Sequence, residues 1–314
     1  MTDVVALLND RLEADDDRLT ADFTRPARPV SFILSQARAA STLFVQVVAS
    51  CYRIGYVSNL LSRYARAPYI GASLQRSLED PDFESTFRTD FVTSGPAEPH
   101  EWGWFWANRL RLQPDEYYVP LERPVDIGTL AAKLAAIESA LEAPLLFDNI
   151  FAQCNLDMIE ASVSPVVTLR MRREPYYVCS SILNARLRRH GDIAVWYGNR
   201  TRDHARIARI EDPVRQVVEQ VWSTEEEIGA IADARPDHLQ MDVEYEELVT
   251  APTALADRFA ALLGRLGAPL EARPTRPEIT LQSRNRADQV NPQFRDRLTA
   301  RFAERFGYLP AGVG

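Results

Sequence analysis

A short turn near the N-terminus combines residue types that bind anions. Val30–Leu34 is an apolar run behind Pro29, typical of a buried parallel strand, and helical spacing of apolar residues begins at Ser41. The turn between them carries one cation, Arg38, and ends on the hydroxyls of Ser41 and Thr42. Because the first N–H groups of a helix are unpaired and its dipole favours negative charge, this order of elements predicts an anion site.

The turn lacks the features of the common ATP- and GTP-binding loop. That loop uses two glycines and a lysine, in the pattern G-x-x-x-x-G-K-[ST], to surround the phosphates. No glycine lies between Val30 and Ile54, and the only lysine of the chain is Lys133. The sequence therefore argues against an ordinary ATPase or GTPase.

A second cluster of cations follows another predicted strand. The apolar run Pro165–Leu169 leads into Arg170, Arg172 and Arg173, and open α/β sheets bind ligands at this end of their strands. Ser181 follows Arg173 by eight residues, which places it about two turns into the next predicted helix. A guanidinium and a hydroxyl on the same side could hold one phosphate, and the alternative is a solvated basic patch.

Acid–base chemistry has two neighbouring candidates, His100 and Glu101. They precede Trp102–Trp106, a run with three tryptophans and one phenylalanine. This run either forms a helix anchored in the core or lines a substrate pocket with His100 or Glu101 at its rim. Burial against the tryptophans would raise the pKa of Glu101 toward a value useful for proton transfer. Asp148 and Asn149, at the end of a predicted strand, are lesser candidates for contact with a substrate.

Length and composition place the chain among globular proteins. Its 314 residues are 46% hydrophobic, enough for a sizeable core, and a net charge of −8 argues against non-specific nucleic-acid binding. We expect no membrane span, since no apolar run reaches about 18 residues. Cys51, Cys154 and Cys179 lie in separate apolar stretches, which predicts buried thiols and a cytoplasmic location. No C-x-x-C or H-E-x-x-H motif is present, so we expect no metal.

Strands and helices are predicted to alternate along most of the chain. This alternation predicts an α/β fold, a three-layer sandwich in which helices cover both faces of a central parallel sheet. No linker is evident, so we expect a single domain over residues 1–314. Within it, residues 1–28 form an N-terminal helical extension, and residues 270–314 form a C-terminal basic loop and helix.

Two segments lie between the first helix after the anion turn and the tryptophan-rich run. Val57–Arg66 is predicted to be helical, and Pro68 is predicted to end that helix, because proline disfavours helical backbone in the residue before it. Asp80–Pro99 is polar and contains several prolines and a glycine, which predicts a loop over the site.

Three segments resemble, in order, those of sulfotransferases that use 3′-phosphoadenosine-5′-phosphosulfate (PAPS). Residues 37–43, Ala-Arg-Ala-Ala-Ser-Thr-Leu, resemble the loop P-R-S-G-S-T-L, with Ala40 in place of the family's glycine. Residues 173–181 resemble the segment R-D-P-R-x-V-x-S-S, with Arg173 and Ser181 at its matching ends. Residues 243–249, with the helix that follows them, resemble the strand-helix unit that begins V-R-Y-E-D-L-V.

The resemblance implies a P-loop NTPase-like sulfotransferase fold that uses PAPS as donor and leaves 3′,5′-adenosine bisphosphate. It implies that Arg173 and Ser181 hold the 3′-phosphate of the donor. It also implies that the first loop grips the 5′-phosphosulfate end, through Arg38, Ala39, Ala40, Ser41 and Thr42. A late basic loop of the family closes over the donor, and the matching residues here are Arg284, Asn285 and Arg286.

Sulfuryl transfer is chemically similar to phosphoryl transfer, because an oxygen attacks in line and charge builds on the leaving oxygen. Arg38 would stabilise that charge, and a base must take the proton of the acceptor. The base is a histidine in some branches of the family and a glutamate in others. His100 is therefore our first candidate and Glu101 our second, with the hydroxyl or amine of a small molecule or carbohydrate as acceptor.

Two other functions stay open at the level of the sequence. A divergent P-loop kinase would share the fold, although the missing lysine and glycines count against it. A non-catalytic binding protein could keep the fold without activity, and Ala40 and the unassigned base leave room for that. The sequence also leaves open which acceptor is used and whether the chain forms a homo-oligomer.

Overall fold

The computed structural model of the chain describes residues 3–79, 85–87, 95–163 and 165–313. Residues 80–84 and 88–94 belong to the predicted loop at Asp80–Pro99, so most of that loop lies outside the described residues. The same holds for the first two residues of the predicted N-terminal extension and for the last residue of the C-terminal segment.

The strands of the described residues are β1 (Val30–Leu34), β2 (Tyr52–Arg53), β3 (Leu146–Phe147), β4 (Val166–Arg172), β5 (Gln240–Glu244) and β6 (Glu271–Ala272). Four of them form a central parallel sheet in the order β3-β1-β4-β5. In the register of β1 with β3, Ser31 lies opposite Leu146 and Phe32 opposite Phe147. All residues of β1 are buried, as its continuous apolar run predicts for a strand covered on both faces.

Helices flank this sheet, which confirms the predicted α/β class. None of the helices in the described ranges combines the length and the apolar character that a membrane crossing needs. The helices are α1 (Asp3–Leu19), α2 (Ser41–Cys51), α3 (Pro68–Ser77), α4 (Gly103–Arg109), α5 (Ile127–Leu141), α6 (Ile150–Cys154), α7 (Leu156–Glu160), α8 (Pro175–His190), α9 (His204–Ile207), α10 (Pro213–Asp233), α11 (Tyr245–Thr250), α12 (Pro252–Arg265) and α13 (Arg295–Phe306).

The prediction of a helix over Val57–Arg66 is wrong. Only Leu61–Arg63 forms a short 3₁₀ turn there, and Pro68 begins α3 instead of ending a preceding helix. Proline fits the first position of a helix, because the N–H that it lacks would have no partner inside the helix and its fixed φ is already helical. The same residue type that ends one helix can therefore begin the next.

The residues group into two compact units, each built from several pieces of the chain. The first unit comprises Met1–Ile33, Thr42–Leu169 and Pro252–Ile279. The second unit comprises Leu34–Ser41, Arg170–Ala251 and Thr280–Gly314. The expectation of a single domain over the whole chain stays a prediction, and each unit is described by itself.

The tryptophan-rich run packs into the core of the first unit. Trp102 and Phe105 stack with ring centroids 4.1 Å apart, and the ring of Trp106 meets that of Phe32 edge-on at 5.8 Å. Trp102, Phe105 and Trp106 are fully buried, whereas Trp104 is 65% exposed. The core alternative is therefore the correct interpretation of this run, since its buried rings have no surface left to offer a substrate.

The core of the second unit lies where α8, α10 and α13 pack together. Its buried residues include valines of α10 and aromatic residues of α8 and α13, with Tyr176 and Phe302 in edge-on contact at 5.3 Å. This packing fixes α8, and α8 carries Ser181. The core therefore sets the position of one of the predicted phosphate ligands.

Candidate active site

The predicted anion turn joins β1 to α2, and its residues up to Ser41 belong to the second unit. Arg38 and Ala40 have φ values of 72° and 79°, in the left-handed region that residues with a Cβ rarely adopt. Within the turn, the N–H of Ala39 donates to the carbonyl of Gln36 at 3.1 Å. The chain thus folds back sharply, and Ala40 adopts a left-handed conformation where the resembling family has glycine.

The second predicted cation, Arg173, contacts this turn directly. Its Nη1 donates to the carbonyl of Arg38 at 2.7 Å, and its Nε donates to Oδ1 of Asn285 at 2.8 Å. Its guanidinium also lies over the ring of Tyr245, 4.5 Å from the centroid. Within the described part of the chain, Arg173 forms no ion pair with a carboxylate. Arg173 is therefore a half-buried cation whose contacts are two neutral oxygens and an aromatic ring. Its positive charge can still attract an anion.

The electrostatics of the cluster favour an anion that carries more than one charge. Burial lowers the pKa of Arg173 to about 10, and the charges of Arg38 and Arg284 lower it as well, against the opposing influence of Tyr245 and Glu246. The guanidinium therefore remains charged at neutral pH. A positive charge that has lost part of its hydration gains most from a ligand that brings several negative oxygens.

Ser181 joins the same cluster through Arg38. The Nε of Arg38 donates to Oγ of Ser181 at 3.3 Å, while the Arg38 carbonyl accepts from Arg173. The helix that carries Ser181 begins directly after Arg173, with Glu174 accepting from the N–H of Tyr176 as its cap. Arg173 and Ser181 therefore both contact Arg38, and they lie on the same side of the cluster, as their eight-residue spacing predicts.

Only part of the predicted late basic loop reaches this cluster. Asn285 accepts from Arg173 and donates through Nδ2 to Glu246 at 2.6 Å. The backbone N–H of Arg284 donates to the hydroxyl of Tyr245 at 2.8 Å. Arg286 instead forms an exposed ion pair with Asp288, so the structure does not bring its side chain to the cluster.

The first unit contains a separate group of predicted residues that line a small open pocket. Thr42, His100, Glu101 and Asp148 supply its polar groups, and Oγ1 of Thr42 donates to Oδ2 of Asp148 at 3.3 Å. Such a mixture of a few polar groups and an apolar wall is typical of sites for small molecules. The apolar wall is made by Val45, Val57, Leu146 and Phe147.

His100 is held as a hydrogen-bond donor. The backbone N–H of Trp102 donates to its Nδ1 at 2.8 Å, so the neutral ring carries its proton on Nε2. The side chain keeps an exposed edge, yet partial burial lowers its pKa, and the charge of Arg63 lowers it as well. In this state Nε2 can donate to a bound group but cannot accept a proton from it.

Glu101 and Asp148 are the carboxylates of this pocket. Glu101 is exposed, so the predicted burial against the tryptophans is wrong, because those rings pack away from it in the core. Its backbone carbonyl accepts from Nδ2 of Asn149, and Asn149 also caps α6 by accepting from the N–H of Ala152. The backbone around Glu101 is therefore fixed while its carboxylate stays accessible to a ligand.

Sequence reasoning missed Asn199, which bonds to the anion turn in the second unit. Its Oδ1 accepts from the N–H of Ala37 at 2.6 Å, and its Nδ2 donates to the carbonyl of Ser35 at 3.1 Å. The only local signal is the glycine before it, Gly198, with a φ of +91°. Nothing in the neighbouring residues of the chain indicates a partner 162 positions away.

No family model matches the chain, and no curated protein matches it either. Solved structures that are similar in fold include two sulfotransferases. The sulfotransferase STF1 from Mycobacterium tuberculosis H37Rv superposes with a TM-score of 0.53 at 13% identity, covering 83% of this chain and 74% of STF1. The sulfotransferase STF9 from Mycobacterium avium gives 0.51 at 12% identity, covering 81% and 67% of the two chains. The predicted fold is therefore confirmed: this chain has a sulfotransferase fold.

Proposed function

We propose that the chain transfers a sulfuryl group from PAPS to the hydroxyl, or amine, of a small-molecule or carbohydrate acceptor. The observation that carries the proposal is Arg173, a half-buried cation held by neutral groups beside Arg38 and Ser181. A nucleotide with phosphates at both its 3′ and 5′ positions matches the charge of this cluster. The sulfotransferase fold supports the same assignment.

All but one of the groups proposed to bind the donor belong to the second unit, and the exception is Thr42. In this proposal Arg173 and Ser181 hold the 3′-phosphate, and Asn285 keeps the guanidinium of Arg173 in place. The loop residues Arg38, Ala39, Ala40, Ser41 and Thr42 bind the 5′ end, with the N-terminus of α2 contributing its dipole. Arg284 is proposed to add positive charge near the donor, whereas Arg286 is left out because its side chain pairs with Asp288. PAPS supplies an activated sulfuryl group when it is bound.

The reaction forms one bond and breaks one bond at sulfur. The oxygen of the acceptor bonds to sulfur while the bond from sulfur to the bridging phosphate oxygen breaks, which leaves 3′,5′-adenosine bisphosphate. Arg38 is proposed to stabilise the negative charge that grows on the leaving oxygen. The proton of the acceptor hydroxyl must pass to a base of the protein.

Glu101 is our proposal for this base, with His100 as a donor that orients the acceptor. The bond from the Trp102 N–H occupies Nδ1 of His100, so its other nitrogen carries a proton and cannot take a second one without charging the ring. Glu101 offers carboxylate oxygens at the same pocket. Asp148, which accepts from Thr42, is proposed to contact the acceptor.

Two substitutions separate the roles of His100 and Glu101. In Glu101→Gln we expect the turnover of a labelled PAPS donor to fall by a factor of about 10² or more, as for loss of a general base. His100→Gln keeps an acceptor for the Trp102 N–H and a donor toward the pocket, so we expect it to retain most of the rate. Loss of turnover in His100→Gln with full activity in Glu101→Gln would reverse the assignment.

Calorimetric titration tests the function as a whole. We expect adenosine 3′,5′-bisphosphate to bind without magnesium, and ATP with magnesium to bind far more weakly, because ATP lacks a 3′-phosphate for Arg173 and Ser181. Magnesium-dependent ATP binding would instead favour the kinase alternative. Binding of neither nucleotide would leave a non-catalytic protein on this fold and would remove the proposal.

A further inference from the structure

The segment Trp196–Asn199 in the second unit packs directly on the start of the anion turn. The Asn199 side chain is 5% exposed and bonds to both sides of Gln36, accepting from the Ala37 N–H at 2.6 Å and donating to the Ser35 carbonyl at 3.1 Å. These two hydrogen bonds reproduce the pairing that a neighbouring strand would give. The side chain therefore fixes the backbone at the point where the strand becomes the turn.

The contact is too close for any residue except glycine at position 198. A Cβ at Gly198 would lie 2.8 Å from the Cβ of Ala37, and its φ of +91° is one that residues with a Cβ rarely adopt. Glycine thus lets the backbone before Asn199 approach the turn closely. This approach in turn brings the Asn199 amide within reach of the turn's backbone groups.

Helix α10 holds this segment through a buried chain of hydrogen bonds. Nε2 of Gln220 donates to the carbonyls of Tyr197 and Asn199 at 2.9 and 3.0 Å. The Oε1 of Gln220 accepts from Arg186 at 3.0 Å, and that arginine also donates to Gln216 at 2.7 Å. Because the guanidinium can only donate, it fixes which end of the Gln220 amide points toward the segment.

Arg186 is a buried cation without exposed surface, and it does not belong to the proposed donor site. Its side chain is 0% exposed, and besides the two glutamines it donates to the Ile193 carbonyl and lies 5.3 Å from the ring of Trp196. Burial lowers its pKa to about 10. Its guanidinium contacts Trp196 and the Gln220 side chain, and it therefore helps to hold the segment Trp196–Asn199 against the turn.

The turn itself needs such support. Arg38 and Ala40 both have positive φ, and backbone of this kind persists only where the surroundings hold it. On the entry side of the turn, Gln36 also donates to Glu225 of α10. The turn is therefore anchored to α10 by Glu225 directly and by Gln220 through Asn199.

We propose that Asn199 is a positioning residue for donor binding, which sets the backbone of the anion turn through its bonds to Ser35 and Ala37. The proposal rests on the proposed function, since it takes this turn to be the donor site. Asn199 does not touch the donor in this view. It acts by keeping Arg38 and the N–H groups that follow it in the geometry that receives the phosphate.

The test compares Asn199 with Asn155, a second buried asparagine whose side chain bonds to distant backbone. Asn155 also bonds to distant backbone, since it accepts from the Val119 N–H and donates to the Tyr117 carbonyl, both at 2.8 Å, but it lies in the first unit. We expect Asn199→Ala to weaken the binding of adenosine 3′,5′-bisphosphate at least about tenfold by calorimetry. We expect Asn155→Ala to lower the unfolding midpoint in urea to a similar degree while the affinity stays within about twofold.

Asn199→Asp provides a second readout that a merely structural role would not change. Aspartate keeps the acceptor for the Ala37 N–H, loses the donor to Ser35 and adds a negative charge beside the turn. We expect its affinity deficit against the wild type to shrink as ionic strength rises from about 0.01 to about 0.15 M, because salt screens that charge, and to persist in part, because the bond to Ser35 is still lost.

Each outcome of these titrations decides one claim. Full bisphosphate affinity in folded Asn199→Ala, or an equal loss in Asn155→Ala, would overturn the role of Asn199 and leave the proposed function intact. A deficit in Asn199→Asp that disappears at the higher ionic strength would also count against it, because it would come from the added charge alone. If the wild type itself does not bind the bisphosphate, the proposed function fails, and the role of Asn199 fails with it.

Discussion

Arg172 and Arg173 are neighbours in the chain with the same side chain, yet their surroundings differ. Arg172 is exposed and forms ion pairs with Asp242 and Glu244 at 3.4 and 3.5 Å. Arg173 is half-buried and bonds to neutral oxygens. Carboxylates therefore already balance the charge of Arg172, whereas that of Arg173 can act on a ligand.

The pair allows a matched test of the donor site. We expect Arg173→Ala to weaken the binding of adenosine 3′,5′-bisphosphate by about 2 kcal/mol, near the value of a hydrogen bond to a charged group, which is roughly 30-fold in Kd. Arg172→Ala removes an exposed ion pair and should change the affinity little. Calorimetry on both variants checks this, and equal losses would show that the cluster acts only through its overall charge.

His100 should make the stability depend on pH below neutrality. Partial burial and Arg63 lower the folded-state pKa below the value of about 6.5 expected for the unfolded chain. The unfolded state therefore binds a proton first as the pH falls, and stability is lost as the pH drops below about 6.5. The effect should stay well under the limit of about 1.4 kcal/mol per pH unit for one proton, since solvent screens the exposed edge of the ring.

Urea unfolding between about pH 5 and pH 7 measures this dependence, with His100→Gln as the reference. Glutamine offers the Trp102 N–H an acceptor that does not titrate in this range. The variant should therefore lose less stability than the wild type as the pH falls. Parallel curves for the two proteins would mean that the ring titrates alike in the folded and unfolded states.

At the scale of elements, local signals decided where the helices around the site begin and end. Gly191 ends α8 with a left-handed φ of 72°, a conformation that glycine adopts at many helix ends. Asp126 caps α5 by accepting from the N–H of Thr129. Such ends can be recognised in a sequence because a cap involves residues only a few positions apart. The error at Pro68 arose because proline favours the start of one helix as strongly as the end of another.

The anion turn itself gives a prediction about backbone strain. In Ala40→Gly we expect the free energy of unfolding to rise by about 0.5–1 kcal/mol, because glycine removes the steric cost of a left-handed alanine. The greater entropy of glycine in the unfolded chain offsets part of this gain. Ala39 has no positive φ and is 1% exposed, so Ala39→Gly should lower stability instead. Urea unfolding of both variants measures the two signs. A loss of stability in both would mean that the turn is not strained at residue 40.

At the scale of the whole molecule, the proposed donor site gathers three distant pieces of the chain within the second unit. They are the turn before Ser41, the start of α8 and the loop at Arg284–Arg286. The net charge of −8 is distributed over the whole chain and does not reveal this local cluster of arginines. Short-range contacts among a few side chains therefore decide which anion is bound, and the total charge does not.

Hydrogen exchange can show whether these pieces respond together. We expect saturating adenosine 3′,5′-bisphosphate to slow amide exchange in residues 34–41, 173–181 and 284–286 at once, because one ligand would contact all three and binding stabilises what it holds. The same ligand concentration should give less protection in Arg173→Ala, because its affinity is expected to be roughly 30-fold lower. Protection confined to a single segment would contradict a shared site.

The sequence by itself determined the α/β class, the strand, turn and helix that span residues 30–51, and the strand and helix on either side of Arg173. These features depend on periodicity, caps and motif spacing, which are properties of nearby residues. The tertiary structure alone decided that the tryptophan-rich run is core, that Nδ1 of His100 is occupied, and that Asn199 holds a turn 162 positions away. Burial and hydrogen-bond partners of this kind arise only when distant parts of the chain pack together, so no local pattern encodes them.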